Sequence, residues 1–138
     1  MDALDTNILL YAHDPRDPAK QQAATSLIAN LEDGVLLWQV ACEYLAASRK
    51  LEKHGLNRDK AWNSLVQLKT VWPFILPAWG TLARAESLRH KHQLSFWDST
   101  IVAACLEAGI GQLYSEDLGP RSIEGLTCIN PFAESPAI

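Results

Sequence analysis

The sequence predicts an α/β fold in which a mainly parallel sheet is covered by helices on both faces. Short apolar runs bounded by turn residues alternate with longer segments that carry apolar residues at helical spacing. When each strand is followed by a helix, the crossover returns the chain in the same direction, so neighbouring strands run parallel. The predicted strands are residues 3–5, 35–38, 74–76 and 112–114, and residues 127–129 form a possible fifth strand at the edge.

The helices follow from the apolar spacing and from the residues that begin and end each segment. Asp17 is a suitable N-cap, and Pro18 suits the first turn of the helix after it. Asn57 caps a later helix, whereas Gly55 and Gly109 each end one. The predicted helices are a first one from about residue 8, then residues 19–31, 39–53, 58–70, 79–92 and 99–107.

The size and composition of the chain indicate one globular domain, residues 1–138. Apolar residues make up 48% of the chain and charged residues 20%, which is typical of a folded protein. No apolar run is long enough to span a membrane and no secretory signal is visible, so we expect a cytoplasmic protein. The three cysteines lack CxxC spacing and lie in apolar contexts, which favours buried reduced thiols.

Four acidic residues occupy equivalent places in the predicted fold. Asp5 ends the first strand, Glu43 lies one turn into the helix after the second, Asp98 opens an apolar helix and Asp117 follows the fourth strand. In a parallel sheet all these places lie at the edge formed by the carboxyl ends of the strands. We therefore expect the four carboxylates to meet in one hollow.

Each acid also has an ordinary structural interpretation. Asp5 and Asp98 are good N-caps, and Glu43 could lie on the solvated face of its helix. Glu116 and Asp117 lie in a turn that contains glycine, where acids are common. The net charge of −4 does not suit a nucleic-acid-binding protein unless the acids are gathered in one site.

Carboxylates that lie close together repel one another, and a divalent cation removes that repulsion. Oxygen ligands without a Cys/His cluster suit Mg²⁺ or Mn²⁺, and such a site can activate water against a phosphodiester. Thr6, Asn7 and Ser115 are neutral groups beside the acids that could orient ligands or waters from a second shell.

Five short motifs occur in an order that covers nearly the whole chain. They are the DTNIL segment at residues 5–9, Glu43, the SFWD segment at 95–98, the YSEDL segment at 114–118 and the NPF segment at 130–132. With these motifs the sequence resembles a PIN-domain ribonuclease, and more narrowly a VapC-type toxin of a type II toxin–antitoxin system.

The resemblance implies a three-layer α/β/α PIN-like domain with a central, mainly parallel sheet of 4–5 short strands. It also implies a Mg²⁺-dependent endoribonuclease, with Mn²⁺ as a possible substitute, that cuts RNA by metal-activated water. Asp5, Glu43, Asp98 and Asp117 would be the catalytic and metal-binding acids. Glu116 directly precedes Asp117, so the late acid could be either residue. The family further implies a homodimer and a cognate VapB-like antitoxin.

Basic and aromatic residues suggest partner contacts. Arg84, a basic cluster at residues 89–92 and another at residues 49–54 are candidates for RNA or antitoxin contact, although they could equally be solvated helix faces. The five tryptophans are expected to pack in the core or at a dimer interface, and Trp97, beside Asp98, is a weaker candidate for an RNA or antitoxin contact.

Two alternative functions remain open from the sequence. One is a non-catalytic PIN-fold interaction module. The other is a phosphatase with Asp5 as its nucleophile, although the second carboxylate of that chemistry is misplaced, because Asp2 is three residues away.

Overall fold

The computed structural model describes residues 1–133, which form a sheet with helices on both sides. The C-terminal end of the predicted domain, residues 134–138, lies outside the described residues. The strands are β1 (Asp2–Leu4), β2 (Gly34–Leu37), β3 (Phe74–Ile75), β4 (Gln112–Tyr114), β5 (Arg121–Ile123) and β6 (Leu126–Ile129). The helices are α1 (Thr6–Tyr11), α2 (Pro18–Asn30), α3 (Trp38–Ser48), α4 (Arg58–Val71), α5 (Trp79–His92) and α6 (Phe96–Glu107).

Within residues 1–133 the sheet has six strands in the order β3-β2-β1-β4-β6-β5. All neighbouring strands from β3 to β6 pair in parallel, and β5 pairs antiparallel to β6. The predicted α/β/α architecture is confirmed. The predicted count of 4–5 strands is too low, because β5 exposes Arg121 and Ser122 and so lacks the apolar run that marks the other strands.

Strands β1 and β2 lie in the interior of the sheet and are almost completely covered. All four residues of β2 are buried, as expected for a parallel strand with helices on both faces. Helix α1 packs against α2 and α3, α3 packs against α4, and α5 packs against α6. In α6, Ile101, Val102 and Ala103 are all buried, so this helix is the central element that its apolar sequence predicts.

The predicted helix 39–53 is two elements in the structure. Helix α3 begins one residue earlier, at Trp38, because β2 ends at Leu37. It ends at Ser48 and continues as a 3-10 helix, Arg49–His54, that stops at Gly55. Gly55 has a φ of 101°, in the left-handed region that glycine adopts without strain.

Of the five tryptophans predicted to pack in the core or at a dimer interface, Trp72 lies in the core. Trp72 is buried, whereas Trp38, Trp62, Trp79 and Trp97 are exposed. Apolar helical spacing marks a face to be covered but does not say whether the core or another molecule covers it.

The expectation of buried thiols is wrong for one of the three cysteines. Cys105 and Cys128 are buried, whereas Cys42 is exposed on α3. Among the helices of residues 1–133, none has the length and apolar character that crossing a membrane requires.

Gly119 marks a close approach between the loop after β4 and the end of β6. A Cβ atom there would overlap backbone atoms of Asn130 and Ile129, which cannot rotate away as a side chain can. We expect Gly119→Ala to lower the free energy of unfolding by about 1–3 kcal/mol, as overpacking does. Chemical denaturation measures the loss. The control is Gly111→Ala, where a Cβ meets nothing within 4 Å, and an equal loss in both variants would contradict the steric explanation.

Candidate active site

All four predicted acids line one hollow of about 600 Å³, in the region where β1, β2 and β4 reach their carboxyl ends. Asp5 directly follows β1 and Glu43 lies in α3, the helix after β2. Asp98 lies in the first turn of α6, and Asp117 follows β4. The structure thus brings together side chains that are separated by more than 100 residues of sequence.

Asp5 is the most buried of these acids, with only 6% of its surface exposed. Its Oδ1 accepts a hydrogen bond from the Thr6 backbone N–H at 2.7 Å, so Asp5 does cap α1. Its Oδ2 accepts from the Ser115 hydroxyl at 2.8 Å, and that hydroxyl oxygen accepts from the Leu118 N–H. Burial, with a smaller contribution from the charges of Asp98 and Glu43, raises the pKa of Asp5 to about 6, while both hydrogen bonds oppose the shift.

Both oxygens of the half-buried Glu43 carboxylate accept hydrogen bonds. Oε2 accepts from the Thr6 hydroxyl at 3.3 Å, and Oε1 accepts from the Gln39 amide at 2.6 Å. The same Gln39 nitrogen donates to the Trp97 backbone carbonyl at 3.1 Å. Gln39 was missed from the sequence, and its position four residues before Glu43 on the same helix face was the available signal.

Asp98 does not serve as the N-cap of α6, so that interpretation is wrong. Ser95 is the cap, and its hydroxyl accepts from the Asp98 backbone N–H at 3.2 Å. Across residues 1–133, no hydrogen bond or ion pair engages the Asp98 carboxylate. Its side chain is therefore available to a ligand in the hollow.

The neighbouring acids Glu116 and Asp117 point to different surroundings. Asp117 lines the hollow and accepts a hydrogen bond from the Asn7 side-chain amide at 3.3 Å. Glu116 does not line it and instead accepts from the Tyr11 hydroxyl at 2.8 Å and from the Lys20 ammonium at 2.6 Å. Asp117 is thus the late acid that the hollow contains.

The neutral groups predicted beside the acids are close to them. Thr6 and Asn7 line the hollow and donate to Glu43 and Asp117, respectively. Ser115 is fully buried and contacts Asp5.

Two cationic side chains, Arg16 and Lys50, line the hollow, whereas Arg84, a candidate for RNA or antitoxin contact, does not. Arg16 lines the hollow but makes two hydrogen bonds of 2.9 Å to the Asp14 carboxylate. Lys50 also lines it and makes no ion pair within residues 1–133. Arg84 is not brought to this hollow, and its nearest charged partner is Glu107 at 3.7 Å.

The donor chemistry of the hollow suits Mg²⁺ or Mn²⁺. Carboxylate oxygens surround it, and the raised pKa of Asp5 reflects burial and repulsion that a cation would offset. Within residues 1–133, no three acidic, histidine or cysteine side chains form a compact ligand cluster. Mg²⁺ is commonly held by one or two carboxylates with water completing its shell, so an open arrangement of acids fits this ion. Asp5, Glu43, Asp98 and Asp117 are the residues that would hold it.

The model of the PIN domain family matches residues 3–126, which include every acid of the hollow. The chain belongs to the PIN domain family. The resemblance to the PIN domain family that the sequence motifs indicate is thereby confirmed. No curated protein matches the sequence.

Solved structures of toxin–antitoxin proteins share the fold of this PIN domain. A toxin–antitoxin complex from Klebsiella pneumoniae has 17% identity and a TM-score of 0.69, covering 96% of this chain and 98% of the other. VapC20 of Mycobacterium tuberculosis, a sarcin-ricin loop cleaving toxin, has 20% identity and a TM-score of 0.65 over 82% and 87% of the two chains. VapBC2 from Rickettsia felis, bound to a fragment of its promoter DNA, has 15% identity and a TM-score of 0.64 over 92% and 96%.

The raised pKa of Asp5 predicts a pH dependence of stability in metal-free buffer. Between about pH 4 and pH 6 the folded state keeps a proton that the unfolded state has released, so the free energy of unfolding falls as pH rises. The shift corresponds to a contribution of about 3 kcal/mol to the free energy of unfolding. This contribution is present below the pKa of Asp5 in the unfolded state and is fully lost above its pKa in the folded state. The Asp5→Asn variant lacks this titrating carboxyl group. Its free energy of unfolding relative to that of the wild type should therefore rise by up to about 3 kcal/mol between pH 3.5 and 7.

Urea unfolding at a series of pH values in the presence of EDTA measures this difference. Glu32→Gln, at an exposed site outside the hollow, is the control and should follow the wild-type curve. Parallel curves for Asp5→Asn and the wild type would show that Asp5 does not titrate as its surroundings imply.

Proposed function

We propose that this PIN domain is a Mg²⁺-dependent endoribonuclease, the toxin of a toxin–antitoxin pair, that hydrolyses phosphodiester bonds in RNA. The observation that carries the proposal is the single hollow lined by Asp5, Glu43, Asp98 and Asp117. Each acid comes from a different segment of the chain, so a purely structural explanation would have to account for four charged side chains placed together against repulsion.

A divalent cation held by these acids supplies the charge that activates water against a phosphodiester and stabilises the leaving oxygen. The chain positions the acids for this work. Ser115 and Thr6 fix the two oxygens of Asp5, and Asn7 holds Asp117 by its Oδ2. Lys50 lies at the rim, where its ammonium group can neutralise a phosphate of the RNA backbone in a protein of net charge −4.

The proposed function also implies an antitoxin protein and an RNA substrate as partners. Several of the structures that share the fold are complexes of a toxin with its antitoxin, which supports an antitoxin partner for this chain. We place the protein in the cytoplasm, where its RNA substrate and antitoxin would be found.

Two other functions have weaker support. A non-catalytic interaction module would not need the acids to hold a cation, so the gathering of four acids in one hollow disfavours it. The phosphatase alternative is disfavoured, because Asp2 begins β1 while Asp5 follows its end, and Asp2 does not line the hollow.

Cleavage of a structured RNA by the purified protein tests the proposal. We expect cleavage with Mg²⁺ or Mn²⁺ and none with EDTA, because the acids alone cannot activate water at neutral pH. Asp98→Asn and Asp117→Asn should each lower the rate at least about 100-fold, since each removes charge that would hold the cation.

Glu116→Gln is the matched control for Asp117→Asn, because the two acids are adjacent but only Asp117 lines the hollow. We expect a loss of less than about tenfold from Glu116→Gln, as for an indirect support. Equal cleavage with and without the cation, or equal losses in the two variants, would overturn the proposed site.

An uncharged apolar face supports the homodimer that the resemblance implies. It is lined by β3, the edge strand, by the first turn of α3, and by parts of α5 and α6. Trp79, Trp97 and Trp38 are 82%, 63% and 45% exposed, and none of the described residues that line the face is charged. Together the exposed tryptophan surfaces offer several hundred Å², a large part of the roughly 800 Å² per partner that a stable interface buries. A second copy of the chain suits an uncharged face of this kind, because a two-fold axis brings the same patch together from both copies.

Trp79→Ala should therefore raise the dimer dissociation constant at least about 30-fold, as the loss of an aromatic anchor does. Light scattering coupled to size exclusion over a dilution series measures it. Trp62→Ala is the control, because Trp62 is 55% exposed on α4 and does not line this face. A wild-type protein that is monomeric throughout the series would exclude the dimer.

A further inference from the structure

Gln39 joins the two helices that carry Glu43 and Asp98. It lies half-buried in the first turn of α3, and its side-chain nitrogen donates to Glu43 Oε1 at 2.6 Å. The same nitrogen donates at 3.1 Å to the carbonyl oxygen of Trp97, which lies in α6 and directly precedes Asp98. One amide group therefore links a metal-site acid of α3 to the backbone beside a metal-site acid of α6.

Only one orientation of the Gln39 amide fits these surroundings. Both partners are acceptors, a carboxylate and a carbonyl, and the NH₂ group has two hydrogens to donate. The reversed amide would place its oxygen against two other oxygens, which is repulsive. The orientation of the Gln39 amide is thus determined by the two acceptor oxygens that its nitrogen faces as well as by the short distances to them.

The contact with Gln39 is also the shorter of the two that hold Glu43. The Thr6 hydroxyl lies 3.3 Å from the other carboxylate oxygen, near the limit of a useful hydrogen bond. In addition, Leu37, the N-cap of α3, makes no side-chain cap bond, so the first turn of α3 lacks that common anchor. The orientation of Glu43 and the spacing of the two acids therefore depend on Gln39 more than on any neighbouring capping group.

We propose that Gln39 is a positioning residue that orients Glu43 in the hollow and fixes its helix relative to Asp98. The inference rests on the proposed function, since it assigns Gln39 a role in arranging the acids for a divalent cation. Groups that orient metal ligands contribute about 10–100-fold to metal affinity or activity when they are removed.

Gln39→Met tests the inference, because methionine keeps the length of the side chain and donates no hydrogen bond. We expect its Mn²⁺ affinity, measured by calorimetry, to fall about 10–100-fold. The unfolding temperature of the metal-free variant should stay close to that of the wild type, while the increase caused by Mn²⁺ becomes smaller. Gln22→Met, an exposed glutamine of α2 outside the hollow, should leave both readouts unchanged.

A second variant keeps the inference testable if Gln39→Met does not fold. Gln39→Asn retains the amide but is one methylene shorter, so it cannot reach both Glu43 Oε1 and the Trp97 carbonyl. We expect it to lose Mn²⁺ affinity as well. Unchanged affinity in a folded Gln39→Met or Gln39→Asn would overturn the inference.

A double-mutant cycle separates positioning from a general structural role. In a Glu43→Gln background, Gln39→Met should lower Mn²⁺ affinity by a smaller factor than in the wild type, because the part of its effect that passes through Glu43 is already lost. Losses that multiply would mean that Gln39 acts independently of Glu43, and would overturn the inference. If wild-type protein neither binds Mn²⁺ nor cleaves RNA, the proposed function itself fails. If it does both and the Gln39 variants match it, only the role of Gln39 fails.

Discussion

The burial of one carboxylate at the end of β1 is the constraint on which the arrangement of this protein depends. Asp5 is almost completely covered, and its two oxygens are held by the Thr6 backbone and the Ser115 hydroxyl. The bond from Ser115 ties the end of the first strand to the loop after β4, the strand that lies beside it in the sheet. A buried acid with like charges nearby is unfavourable, and proteins retain such arrangements chiefly where a cation or a proton is handled. The fold thus supports an electrostatically costly group at one point and surrounds it with polar groups that fix its geometry.

The acid hollow and the apolar face are neighbouring parts of one surface. Trp97 and Gln39 mark their boundary, because Trp97 lines both regions and Gln39 lines the apolar face while bonding to Glu43 in the hollow. A molecule that covered the apolar face would therefore lie against the groups that orient two of the acids. Any partner of the apolar face would thus contact the same two side chains that border the acids.

Much of this organisation is visible in the sequence, and what is not visible has a physical reason. The positions of Asp5, Glu43 and Asp98 after strands and in first turns were predictable, because strand and helix periodicities fix which edge of a parallel sheet they reach. The choice between Glu116 and Asp117 was not, since it depends on Lys20, 96 residues away in sequence. Only one contact of Gln39 could be predicted, the one to Glu43 four residues later, because the Trp97 carbonyl is a backbone group that every residue has. Likewise, exposed and buried tryptophans have the same apolar spacing, so the pattern alone could not separate them.

The order of the strands in the sheet limits when the hollow can fold during synthesis on the ribosome. Strand β1 is made first, but its neighbour β4 begins at Gln112, and the residues that pair with Asp5 and Asn7 follow it. A nascent chain therefore cannot assemble the hollow until the loop after β4 has left the exit tunnel. Chains that stop before β4 lack both Ser115 and Asp117, so they contain only part of the hollow and of the hydrogen bonds that hold Asp5 and Asn7.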